Sequence, residues 1–165
     1  MSGEVKFDWT DTLTDLRACP DAVAWARGYH DLYAAWAASE RGDWMLWLAG
    51  KLSGPPESAS RKRLVLAACE CARLALAHVR AGEDRPRIAI ETAERWARGE
   101  AGVTLANVRA AAADAYAAAA ADAAAAAAAA YAAAAWAART STHAACADIV
   151  RSLVACPTLK GVYRD

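Results

Sequence analysis

Two cysteines one residue apart, Cys69 and Cys71, and a pair at helical spacing, His143 and Cys146, are the residues of this chain best suited to metal or thiol chemistry. Residues two apart on a helix project to nearly opposite sides, and Cys-x-Cys is not the Cys-x-x-Cys spacing of structural zinc or redox sites. Cys69 and Cys71 therefore read as buried thiols. His143 and Cys146 share a helical face, but two ligands fall short of the set that zinc needs. The sequence lacks a glycine-rich phosphate loop, a Gly-x-Ser-x-Gly elbow and a His-Glu-x-x-His pair. No catalytic, cofactor-binding or metal residue is assigned and no cofactor is expected. A small enzyme with a Cys/His/Asp site remains the alternative from a different class, because such groups meet in space rather than in sequence.

Candidate binding residues come next. Arg61, Lys62 and Arg63 form a short basic cluster without adjacent stacking aromatics, so a solvated face is favoured over a nucleic-acid site. Trp44 and Trp47 lie three apart on one helix with Leu48 beside them, which suits either a core anchor or an exposed hot spot. Core packing is favoured, because large aromatics are mostly buried. These five residues are the candidate partner-binding set. Arg41-Gly42-Asp43 matches an adhesion tripeptide, but Asp43 reads better as a helix cap.

Formal net charge is zero over 165 residues, so general attraction to nucleic acid or an anionic membrane has no basis. The charge is unevenly spread: Glu4, Asp8, Asp11, Asp15, Asp21, Asp31, Glu40 and Asp43 make the first part acidic, whereas Arg61 to Arg87 is basic. Internal complementarity and a charged partner explain this equally well. The odd number of cysteines, without framework spacing, fits reduced thiols, and the N-terminus does not resemble a signal peptide, so a cytoplasmic location is expected. The alanine run is long enough to span a bilayer, but Asp122 near its middle argues against membrane insertion.

Glycine and proline divide the chain into helices. Pro20 opens one that stops before Gly28, Leu32 to Trp36 continue in a second, and Asp43 caps a third that ends before Pro55-Pro56. Ser58 or Ser60 starts a longer, central helix with an apolar seam of Val65, Cys69, Ala72, Leu76 and Val79. Pro86 opens the next, where Glu91–Arg95 and Glu94–Arg98 define a solvent face and Ala89, Ala93, Trp96 and Ala97 turn inward. Thr104 caps an alanine-rich helix from Leu105 to Ala138, with a break expected at Arg139–Thr142 and a final helix to Leu153. The expected fold is all-α: a single-domain helical bundle with a long alanine-rich C-terminal helix. It divides into an N-terminal arm (1–18), a short-helix bundle (19–103), an alanine-rich helical region (104–154) and a tail (155–165).

The strings Glu40-Arg41-Gly42-Asp43-Trp44-Met45-Leu46-Trp47, Leu66-Ala67-Ala68-Cys69-Glu70-Cys71-Ala72-Arg73 and Arg85-Pro86-Arg87 followed by Glu91-Thr92-Ala93-Glu94-Arg95-Trp96-Ala97, ahead of the alanine-rich tail, resemble the immunity protein family similar to Imm-5. The resemblance runs from about Ala18 to Val150. It implies a small cytoplasmic, non-catalytic inhibitor that binds and neutralises a protein partner: a bacterial toxin or, for a phage-encoded protein, a host defence effector. It assigns no functional residue. The runner-up of the same class is an accessory subunit of a nuclease or defence complex. Neither reading calls for direct nucleic-acid or membrane contact, and the oligomeric state is left open.

Overall fold

The computed structural model describes residues 8–125 and 131–159, with side chains described outside 118–141. Among the described residues there are eight α-helices and no strand, an all-α fold. In chain order these are α1 (Trp9–Asp15), α2 (Pro20–Ala26), α3 (Leu32–Ala38), α4 (Gly42–Leu52), α5 (Ala59–Ala75), α6 (Arg85–Ala97), α7 (Leu105–Ala125) and α8 (Tyr131–Leu153), with a short 3-10 turn over Leu76–His78. No helix among the described residues is long and apolar enough to cross a membrane.

Local chemistry accounts for most boundaries. Asp8 starts α1 by accepting from the Thr10 amide and hydroxyl, Asp31 starts α3 through the Ala34 amide, and Ser58 starts α5 through the Arg61 amide. Thr104 and Asn107 exchange reciprocal bonds at the start of α7. Gly99, at φ +77°, closes α6: its amide bonds to the Trp96 carbonyl while the Glu100 amide reaches Arg95, a Schellman turn that favours glycine. The same turn closes α1, with Arg17 in the left-handed position.

Helix α5 is the centre. Its Leu64, Ala67 and Cys71 are buried in a core with Met45, Leu48 and Ala49 of α4 and Cys146, Ala147 and Val150 of α8. Its other side meets α6, which in turn packs on α7. The expected seam is thus displaced: Cys69 is buried, Val65 and Leu76 are half-buried, and Ala72 is exposed, because α5 serves two neighbours rather than one. Along α7, Leu105, Val108, Ala111 and Ala115 are half-covered between exposed positions, a one-sided stripe.

Three further expectations are corrected. Asp43 is not the α4 cap: the helix starts at Gly42, and Asp43 in its first turn is engaged by Arg41. Glu94 is not on the solvent face; it is 4% exposed and held by Arg73 Nε and Nη2 at 3.0 and 2.6 Å, with Arg98 3.9 Å away, while Glu91 pairs with Arg87 and Arg95 with Glu100. A buried carboxylate requires such a partner. Nor does α8 break at Arg139–Thr142; it runs through that cluster, consistent with strong helix formers on both sides. The side chains of Asp122, Tyr131 and Trp136 lie outside the described residues.

Candidate functional site

Five of the seven tryptophans fall between residues 9 and 47, a density that the chain's punctuation spreads over four short helices. Folding brings Trp9 of α1, Trp25 of α2, Trp36 of α3 and Trp44 and Trp47 of α4 around one open cleft of about 550 Å³. That volume lies in the range of small-molecule and side-chain pockets. Trp36 is buried, whereas Trp9, Trp25, Trp44 and Trp47 are partly buried, and Trp9, Trp25 and Trp47 also pack against the core. Trp44 and Trp47 therefore stand between the two roles that their spacing allowed.

The walls are fixed by specific contacts. The Trp9 indole donates to the Tyr29 carbonyl at 3.1 Å, and Trp25 packs against Tyr29 and Trp44 with ring centroids 4.6 and 5.9 Å away. Arg151 of α8 donates to the Trp36 and Ser39 carbonyls at 3.3 and 2.6 Å, a cation at the C-terminal end of α3 that ties this short helix to the core. Gly42 lies against the backbone of α8: a Cβ there would stand 2.7 Å from the Ala147 nitrogen. This close crossing positions Trp44 and Trp47.

At the rim, Arg41 lies 4.1 Å over the Trp44 ring and holds Asp43 through two hydrogen bonds at 2.8 and 2.6 Å. Nδ1 of His143 from α8 is 3.3 Å from the same carboxylate. Burial works to raise the Asp43 carboxyl, but the bonds from Arg41 and the neighbouring His143 outweigh it and hold the group below its usual value. The carboxylate in turn holds the Arg41 guanidinium above its ordinary range.

The basic cluster takes no part in the cleft walls. Arg61 donates to the Gly54 carbonyl, Lys62 pairs with Glu57 and lies over Trp96, and Arg63 is exposed. The thiols face apart: Cys69 Sγ is directed at the Ile90 carbonyl, and Cys71 Sγ, on the opposite side of α5, at Cys146. His143 meets Asp43 while Cys146 is buried against Cys71, so neither candidate ligand pair converges. Burial pushes the Cys69 thiol up to about 11, and burial with the Cys146 contact pushes Cys71 up to about 12. Neither is a thiolate nucleophile near neutral pH.

The family comparison concerns the helices that follow the cleft. Residues 54–149, more than half of the chain, match the family described as Imm-5 like putative immunity protein, and the chain belongs to that family. No curated protein and no solved structure matches it. The match spans α5, α6, α7 and most of α8, so the cleft, between residues 9 and 48, precedes it. The Glu40–Trp47 string lies outside the matched segment, whereas Leu66–Arg73 and Arg85–Ala97 lie inside.

Proposed function

We propose that the protein is a non-catalytic, cytoplasmic immunity-type inhibitor that binds and neutralises a protein partner, a bacterial toxin or a defence effector, with the tryptophan cleft as its docking surface. The observation that carries this reading is the set of partly buried tryptophans lining an open cavity in a member of an immunity protein family. Tryptophans that become fully desolvated on binding supply a large share of binding energy at protein interfaces. Of the candidate set, Trp44 and Trp47 line the cleft, which supports the reading, and Arg61, Lys62 and Arg63 do not.

The test is pull-down mass spectrometry from cells that naturally carry the protein, followed by reconstitution with the recovered partner. Trp47→Ala and Trp44→Ala should each weaken neutralisation by about 2 kcal/mol or more, roughly thirtyfold, while Arg63→Ala changes it little. Full neutralisation by a folded Trp44→Ala/Trp47→Ala variant would remove the cleft from the interface.

A further inference from the structure

The charged residues that line the cleft are Arg17, Arg41 and Asp43. Asp43 is already engaged, bonded by Nε and Nη2 of Arg41 and approached by His143, and the buried Ser39 hydroxyl accepts from the Arg41 amide. Trp9 uses its indole N–H on the Tyr29 carbonyl. Among the described residues the indole N–H groups of Trp25, Trp44 and Trp47 make no hydrogen bond, Nη1 of Arg41 is unbonded, and the exposed Arg17 side chain has neither a hydrogen bond nor an ion pair. Indole and guanidinium nitrogens donate and never accept, and the Cys19 thiol is weak in both senses. The strong side-chain groups that the lining leaves unbonded are therefore donors, two of them on cations.

Arg17 is placed there against its backbone preference. It takes the left-handed position of the turn that closes α1, at φ +65°, where glycine is favoured. A strained non-glycine residue beside a cavity points to a role for its side chain. The carboxylates that make this part of the chain acidic do not cancel it at the cavity. Asp11 and Asp15 are each two residues from Leu13 on α1 and project away from the face of Trp9 and Leu13, while Asp21 and Glu40 are outside the lining. Exposed charges are screened over about 8 Å at physiological salt, so the groups in the lining outweigh those on the far faces.

We infer that the cleft receives a segment of the partner protein in which a bulky apolar side chain stands beside a carboxylate, the apolar group entering between the tryptophans and the carboxylate meeting Arg17. This rests on the reading of the cleft as a docking surface. A guanidinium and a carboxylate form two parallel charge-assisted bonds, and the indole N–H groups and Arg41 Nη1 supply further donors to the acceptors of the segment. A cationic segment finds no such welcome, because Asp43, the carboxylate of the lining, is held by Arg41 and His143.

The test uses three short peptides with the same Leu-Phe anchor and no tryptophan, differing only in whether Glu, Gln or Lys flanks it. Titration of the full chain, followed by its tryptophan fluorescence and by calorimetry, should give about tenfold tighter binding of the Glu peptide than of the Gln peptide, with the Lys peptide weakest. Arg17→Gly suits the left-handed backbone, so it should bring the Glu peptide down to the affinity of the Gln peptide at a melting midpoint no lower than wild type. Trp47→Ala should weaken all three. Equal binding of the Glu and Gln peptides, no binding of the Glu peptide, or a Glu preference that survives Arg17→Gly overturns the inference. Phenylpropionate binding more tightly than the Glu peptide overturns it as well, in favour of a small free carboxylate as the occupant. If the Glu preference is absent yet Trp47→Ala still weakens binding, the docking surface stands without its anionic occupant. If Trp47→Ala leaves Glu-peptide binding unchanged, both fall.

Discussion

Two glycines in α4 should respond to the same substitution with opposite signs. Replacing glycine by alanine in a helix ordinarily stabilises by about 0.5–1 kcal/mol, because alanine loses less backbone entropy on folding. At Gly50 the added methyl meets Leu64 Cδ2 at 3.8 Å and Arg61 Nη1 at 3.9 Å, ordinary contact distances, so Gly50→Ala should deliver that gain. At Gly42 the methyl would stand 2.7 Å from both the Ala147 nitrogen and the Cys146 carbonyl carbon, and nearer still to Cys146 Cβ. Carbon atoms pack at about 3.5–4.0 Å, so α4 must retreat by about 1 Å from α8. The opposing atoms are mostly backbone and cannot rotate away, and the retreat loosens Met45 and Ala49 against Ala147 and Val150. Overpacking of this kind costs about 1–3 kcal/mol. At the first helical position little propensity gain offsets it, so Gly42→Ala should cost about 2–3 kcal/mol net. In a domain of this size that lowers the melting midpoint by about 4–12 °C. Urea and thermal melts followed by circular dichroism measure both variants. A Gly42→Ala midpoint equal to or above wild type would refute the close crossing and the account of how Trp44 and Trp47 are positioned.

Other expectations are narrower. Arg17→Gly should raise stability by about 1 kcal/mol in a denaturant melt, because φ +65° strains a non-glycine residue; a loss would mean that the Arg17 side chain outweighs its backbone strain. In native protein, exposed Cys19 should react with a thiol reagent well before buried Cys69, Cys71 and Cys146, as mass spectrometry of the labelled peptides will show. The raised thiols also set an alkaline limit. Their folded values of about 11 and 12 exceed the ordinary 9.0, so the stability they confer is complete below pH 9 and is lost as pH rises from 9 through 11 for Cys69 and through 12 for Cys71, visible as a falling urea midpoint. Arg73→Met should lower the midpoint by leaving Glu94 buried with a single distant cation, and Arg73→Met/Glu94→Met should restore part of it; a double variant no better than the single one would contradict this.

Much of the helical layout was legible because proline, glycine and capping side chains act locally. Pro20, Gly28, Ser58, Pro86 and Thr104 mark boundaries that the structure places within a residue or two. What depends on a distant neighbour was not legible. Glu94 looks like a surface residue in any helical projection and is buried only because Arg73 of α5 faces it. Gly42 reads as part of a tripeptide or the lead-in to a cap, yet its role is set by α8, about a hundred residues later. Asp43 has the right residue type for a cap but is drawn aside by Arg41 and His143. The cleft leaves a trace in the clustering of tryptophans before residue 48, which spacing within any one helix does not reveal. The expected break at Arg139–Thr142 failed because Ser and Thr cap a helix only where the backbone is free to leave it.

The claim that this cleft holds the neutralised protein is tested most directly by site-specific photo-crosslinking in the native cells. Benzoylphenylalanine in place of Trp47 is compared with the same group in place of Arg63, which is exposed and outside the cleft. The account predicts one dominant protein adduct from position 47, suppressed by excess unmodified protein, and little or none from position 63. An adduct from position 63 with none from position 47 would contradict it.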